Sequence, residues 1–294
     1  MTGERWTVLR VLEWTQKYLR KGGIPSPRLE SELLLSHVLG CDRIGLYLNH
    51  DMVLSKDELT RFRGTIERRI SGEPTAYILG FQEFWSIRFK VDSHVLVPRP
   101  ETEILVEEAL RLIDQEGWRE PRIAEVGTGC GAIAISIAKS VPSTKILATE
   151  VSWEAALLAK ENAKVQNVDS RICIVQGDLL AFVKSGDEGT FDLMVSNPPY
   201  IRRADIETLQ REIRDFEPRE ALDGGIDGLD FHRKLVHEAS LCLRKGGWLI
   251  LEIGADQDQQ VLHLLEGSGE FRHMRIASDY AGKRRAMIAQ KSTA

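Results

Sequence analysis

Apolar positions along the 294-residue chain change their period near residue 80. Before that point, Trp6, Leu9, Val11, Leu12, Trp14, Tyr18 and Leu19 recur at helical spacing until Gly22-Gly23 stop the run. Ser26-Pro27 opens a second predicted helix, with Leu29, Leu33, Leu34, Val38 and Leu39 on its inner side and Gly40 at its close. Ser55 with Glu58 three residues later reads as a capping box that starts a helix running to about Ser71. Residues 1–80 are therefore expected to form a small helical domain. Residues 81–97, FQEFWSIRFKVDSHVLV, alternate apolar and polar, which predicts a β-hairpin with its turn at Asp92-Ser93 inside a linker over 81–101.

From 102 to 294 the pattern alternates strand and helix. Strands are expected at Arg122–Val126, Lys145–Glu150, Ile172–Gln176, Phe191–Ser196, Gly247–Ile253, Phe271–Ala277 and Arg284–Gln290, the last two pairing at a sheet edge. Helices between the first five imply an α/β fold around a mostly parallel seven-stranded sheet. Ligands of such sheets sit beyond the carboxyl ends of the strands, so motifs there carry most weight.

Composition narrows the field without naming a function. Hydrophobic residues make up 43% and charged residues 28%, ordinary values for a globular chain, and the net charge of −5 supplies no field that would draw the protein to nucleic acid. Cys41, Cys130, Cys173 and Cys242 lie far apart without a CxxC pair, which argues against a disulfide framework and against a metal site. The first residues are charged throughout, and no apolar run approaches the roughly 18 residues that span a bilayer. A cytoplasmic protein without membrane partners is the expectation.

The first strand of the α/β region runs into Gly127-Thr128-Gly129-Cys130-Gly131 ahead of a helix. Glycines allow a sharp turn and close approach of a ligand, and the helix N-terminus favours a negatively charged group. The second strand ends at Glu150, placed to accept from ribose hydroxyls, and the third is followed by Asp178 and Leu179, suited to an adenine amino group and ring. The loop by itself leaves two cofactors open, because Gly127, Gly129 and Ala132 also satisfy the dinucleotide pattern.

The fourth strand separates them. It ends in Asn197-Pro198-Pro199-Tyr200. Two consecutive prolines hold Asn197 and Pro198 extended, which makes a stiff corner. The Asn197 side-chain oxygen and the Pro198 carbonyl can then point outward together and match the two N–H donors of a planar –NH2, with Tyr200 beside it. This pattern points to methylation of an amide or amino nitrogen by S-adenosyl-L-methionine. His232 and His237, five apart on a predicted helix, lack ligand spacing and are expected to be solvated. Cys130 is expected to be a small packing residue, though a helix start can lower a thiol pKa.

With these residues in view, the chain resembles the release-factor glutamine methyltransferases, the PrmC/HemK family. The likeness runs over nearly the whole length, through the segments beginning at Ser71 (SGEPTAYILG), Glu83 (EFWS), Pro98 (PRPETE), Glu217 (EPREAL) and Leu251 (LEIG) besides the two motifs above. It implies a class I S-adenosyl-L-methionine-dependent methyltransferase domain of Rossmann-like type behind a release-factor-recognising helical domain. It also implies N5-methylation of the glutamine in the GGQ motif of class I peptide chain release factors. Gly127, Thr128, Gly129, Cys130, Gly131, Glu150, Asp178, Leu179 and Asn197 would then bind the cofactor, and Asn197, Pro198, Pro199 and Tyr200 the glutamine. Arg99 and Glu103 would lie near the cofactor entrance.

The chain has Glu125 and Glu150 where the family commonly has Asp, which lengthens the reach toward ribose by one methylene. The charged stretch Arg202–Glu220 is expected to be either a loop over the acceptor or a solvated helix. Two other functions stay open on the residues alone: an N-methyltransferase acting on exocyclic amino groups of RNA or DNA, and a non-catalytic nucleotide-binding protein.

Overall fold

In the computed structural model, which describes residues 5–181 and 189–293, the chain divides into two units. One comprises the residues up to Phe81 together with Gln210–Phe216, and the other Gln82–Leu209 with Glu217–Ala294.

The first unit contains α1 (Val8–Lys21), α2 (Pro27–Leu39), α3 (Arg43–Leu48), α4 (Lys56–Ile70) and α5 (Thr75–Leu79). The capping box opening α4 forms as expected: the Ser55 hydroxyl accepts from Glu58 N at 3.2 Å, and Glu58 Oε2 accepts from Ser55 N at 2.7 Å. Val11, Leu12 and Leu19 of α1 are buried with Leu34, Val38, Phe62 and Ile66. Leu29 departs from expectation and faces solvent, while Ser31, Glu32 and Leu35 of α2 turn inward. The buried Glu32 carboxylate explains this, because Arg28, Arg43 and Tyr47 all hydrogen-bond to it and fix the rotation of the helix.

β1 (Phe81–Phe84) and β2 (Ile87–Lys90) form the hairpin. Its turn is Trp85-Ser86, with φ of 53° and 56°, and so lies earlier than Asp92-Ser93. Both turn residues are left-handed, as a two-residue hairpin of this twist requires. Glu103 Oε1 holds the turn by accepting from Trp85 N at 2.7 Å. Asp92 instead accepts from His94 N at 2.9 Å in a local turn after the strands have ended.

The second unit continues with α6 (Glu103–Gln115), β3 (Arg122–Val126), α7 (Ala132–Ser140), β4 (Lys145–Glu150), α8 (Trp153–Val165), β5 (Ile172–Gln176) and β6 (Phe191–Ser196). The short α9 (Arg211–Phe216) belongs to the first unit. Then follow α10 (Asp230–Cys242), β7 (Leu243–Glu252), α11 (Asp258–Ser268), β8 (Phe271–Ser278) and β9 (Arg284–Lys291). The seven-stranded sheet has the order β5-β4-β3-β6-β7-β9-β8, parallel from β5 to β7, with β9 antiparallel to both its neighbours. Ala124, Val126, Met194, Leu249 and Leu251 of the central strands are buried in one cluster with Leu235, Val236 and Ala239 of α10 and Val261 and Leu265 of α11.

Chain order reverses between β3 and β6, and there the two motif-bearing loops leave the sheet side by side. Val126 pairs with Ser196, so the glycine loop and Asn197 each begin one residue past the same level. His232 departs from the solvated position expected of it. It lies on the α10 face that carries Leu235, Val236 and Ala239 and is fully buried, with its Nε2 2.9 Å from the main-chain oxygen of Glu252. That contact needs a donor, so Nε2 carries the proton of a neutral ring, whose pKa burial lowers. His237 remains exposed.

Candidate active site

A cavity of about 190 Å³ opens at the carboxyl ends of β3, β4, β5 and β6. One water needs about 10–15 Å³, so the space suits a nucleoside-sized molecule. Its walls include Gly127, Thr128, Gly129, Cys130, Glu150, Asp178, Leu179, Asn197, Pro198 and Pro199, which brings together most of the residues picked from sequence. Gly131 instead caps α7. Tyr200 does not line the cavity, and its hydroxyl donates to Glu252 Oε1 at 3.2 Å.

The glycine loop is a preformed cradle. Gly127 N and Thr128 N both donate to Thr149 O, at 2.9 and 3.0 Å, tying the loop to the end of β4. Gly127 and Gly129 have φ of 72° and 56°, and a Cβ at either would meet no neighbouring atom. Backbone conformation requires the glycines, and the space beside them stays open. Gly129 N donates to Glu150 Oε2 at 2.8 Å and Ser152 N to Oε1 at 3.1 Å. Each Glu150 oxygen thus keeps accepting capacity toward the cavity.

Beneath the loop, Glu125 is 1% exposed. Its Oε2 accepts from the Thr128 hydroxyl at 2.5 Å, while its Oε1 is buried without a partner among the described residues. Burial, with the nearby Glu150 charge adding to it, pushes the Glu125 carboxyl up to about 8. A buried acidic oxygen without a partner among the described residues, in the wall of a glycine cradle, fits a ligand that brings a cation or a donor. Cys130 is a packing residue, buried, with its thiol pushed up to about 12 by desolvation.

At the acceptor corner, Asn197 Nδ2 donates to Thr102 Oγ1 at 3.2 Å. In this orientation Oδ1 is left as the acceptor, with no donor to it among the described residues. The corner is held from behind: Ile201 N donates to Leu222 O, Gly224 N to Ile201 O, and Gln257 Nε2 to Tyr200 O at 2.9 Å. A Cβ on Gly224 would lie 2.7 Å from Tyr200 Cα, so only glycine permits this approach. The stretch after Tyr200 is neither an open loop nor one continuous helix. It forms 3-10 turns at Arg203–Thr208 and Arg219–Ala221 on either side of α9, with Ile206 and Glu217 buried. Arg99 pairs with Glu217 at 2.5 Å, and neither Arg99 nor Glu103 lines the cavity.

Sequence reasoning gave no role to Thr102 or Glu252, although both stand in segments it singled out, PRPETE and LEIG. Their contribution depends on which side chains meet them across the fold, and no spacing rule reports that.

Fold and cavity together define a methyltransferase-type domain. A methyltransferase small domain matches residues 101–215, and a PrmC N-terminal domain matches residues 10–80. The crystal structure of the N-terminal domain of human METTL16 in complex with SAH shares the fold, with a TM-score of 0.51 at 19% identity, covering 84% of this chain and 87% of that one. The release factor glutamine methyltransferase of Geobacter sulfurreducens is 46% identical over 269 residues, 90% of each chain. That of Rhodopirellula baltica is 40% identical over 292 residues, 98% of this chain and 97% of its own. The chain belongs to the release factor glutamine methyltransferase family.

Proposed function

We propose that this protein transfers a methyl group from S-adenosyl-L-methionine to the side-chain amide nitrogen, N5, of the glutamine in the GGQ motif of class I peptide chain release factors. The products are N5-methylglutamine and S-adenosyl-L-homocysteine, and the site of action is the cytoplasm. The helical residues 1–80 contribute recognition of the release factor, residues 81–101 link, and residues 102–294 catalyse.

The cradle fits the cofactor. Gly127, Thr128, Gly129 and Cys130 take its amino-acid end, aided by Glu125 beneath them, while Gly131 caps α7 behind the loop. Glu150 accepts from ribose, and Asp178 with Leu179 takes the adenine. When bound, S-adenosyl-L-methionine supplies an electrophilic methyl group on a sulfonium.

The protein's part is to aim the acceptor nitrogen. Asn197 Oδ1 and the Pro198 carbonyl each accept one N–H of the glutamine amide, which fixes the plane of the –NH2 and turns the nitrogen's lone pair toward the methyl. Pro199 keeps the corner rigid and Tyr200 buttresses it. Orientation of this kind is worth an effective molarity of roughly 10⁵–10⁸ M. An amide nitrogen is a weak base whose proton leaves with or after the transfer, so no strong general base is needed. A carboxylate offers no donors to the paired acceptors, so glutamate is rejected.

The observation that carries this reading is the commitment of Asn197 Nδ2 to Thr102, which presents Oδ1 as the acceptor. Its test is Asn197→Ala assayed on a release factor with S-adenosyl-L-methionine. Loss of one hydrogen bond to a buried group predicts a fall in kcat/KM of roughly 10- to 100-fold. Wild-type turnover by the variant contradicts the assignment.

A further inference from the structure

Glu252 closes β7 directly behind the acceptor corner, 2% exposed, and the proposed chemistry does not use it as an acid or a base. Tyr200 donates to its Oε1 at 3.2 Å, while its Oε2 is buried without a hydrogen-bond partner among the described residues and the nearby Thr102 hydroxyl favours the charged form. Thr102 Oγ1 is at the same time the acceptor for Asn197 Nδ2, at 3.2 Å. A hydroxyl has one proton to give. With a lone pair of Thr102 taken by Asn197, that proton is left to serve the unpartnered Glu252 Oε2, and the donors then run in one direction, from Asn197 through Thr102 to Glu252, with Tyr200 donating to Oε1. Direction matters because an Asn197 amide turned end for end would meet the acceptor amide with N–H against N–H.

On the functional reading above, we propose that Glu252 is a positioning residue for methyl transfer, its carboxylate orienting the Tyr200 phenol directly and the Asn197 amide through Thr102.

The groups facing Glu252 set when that carboxylate exists. Arg285 on β9 favours the charge, but its Nε already binds Asp279 Oδ2 at 3.2 Å. Glu101, ahead of α6, opposes the charge. His232 on α10 is neutral and, among the described residues, bonds the main-chain oxygen of Glu252 and not its carboxyl. Arg99 acts on the Tyr200 phenol. Burial outweighs the favourable partners and pushes the Glu252 carboxyl up to about 7. Below that pH the neutral carboxyl carries a proton of its own, and the direction of the donors is no longer imposed.

The test measures kcat and KM against pH for the full chain and for Glu252→Gln, Glu252→Asp and Thr102→Val, with cofactor affinity determined separately. For the wild type, kcat falls on the acid side through about 7. Glu252→Gln lowers the alkaline plateau of kcat by roughly tenfold, removes the acid limb and leaves cofactor affinity within about twofold. Glu252→Asp, which keeps the charge, recovers part of kcat and retains an acid limb. If Glu252→Gln does not fold, Thr102→Val carries the test, losing kcat while the carboxyl stays in place. Wild-type kcat with an unchanged acid limb in Glu252→Gln, or wild-type kcat in Thr102→Val, overturns the role given to Glu252. A wild-type protein that methylates no glutamine at any pH overturns the functional reading itself.

Discussion

Gly129 does two things at once. It holds φ at 56° and it presents its N–H to Glu150 from the cavity wall. An alanine there carries a left-handed strain of roughly 1–2 kcal/mol, and its methyl projects into open space. Gly129→Ala is expected to weaken S-adenosyl-L-methionine binding roughly 5- to 30-fold with the fold retained, measurable by titration calorimetry beside circular dichroism. An unchanged Kd would show that the cofactor does not use the cradle. The same residue shows what sequence can reveal: a glycine spacing after a strand predicts a conformation because few other residues adopt it. The buried position of His232 was not legible, because polarity says nothing about which face of α10 meets the sheet.

The acceptor corner Asn197-Pro198-Pro199-Tyr200 is held by the segment around Gly224 that packs behind it. Gly224→Ala puts a carbon 2.7 Å from Tyr200 Cα, where backbone must move. The expected result is a kcat loss of about tenfold or more with little change in cofactor affinity, since misplacing a positioning group by about 1 Å costs on the order of 10²-fold. Equal kcat in variant and wild type would mean that the corner tolerates the shift. Strands of the α/β region were readable within a few residues, because parallel strands covered by helices are written as apolar runs between turns. The hairpin turn was not. Asp92-Ser93 has the composition of a turn, while Trp85-Ser86 shares only its serine and depends on Glu103, distant in sequence, for its anchor. The acceptor corner was legible from its prolines; the Thr102–Glu252 support behind it was not, because a buried carboxyl acquires its role only from tertiary partners.

For the whole molecule, burial of Glu125 makes stability depend on pH. Its carboxyl is raised from an ordinary 4.5 to about 8 in the folded state. The unfolded chain ionises it freely, whereas the folded chain must keep the proton or bury a charge. Its contribution is therefore full below the ordinary value and is lost as pH rises toward 8. Glu252 acts in the same direction, with its loss complete nearer 7. Glu125→Gln is expected to gain thermal stability over the wild type between about pH 5 and pH 9, by on the order of 5 °C in Tm at the alkaline end. A constant difference across that range would contradict the buried, protonated carboxyl. No helix among the described residues is long and apolar enough to cross a membrane.

The most direct measurement is tandem mass spectrometry of a class I release factor after incubation with this protein and S-adenosyl-L-methionine. One added methyl group is expected, on the side-chain nitrogen of the GGQ glutamine, and none when that glutamine is replaced by glutamate. Methylation of RNA or DNA with the release factor unmodified, or a methyl group on any other residue, would contradict it.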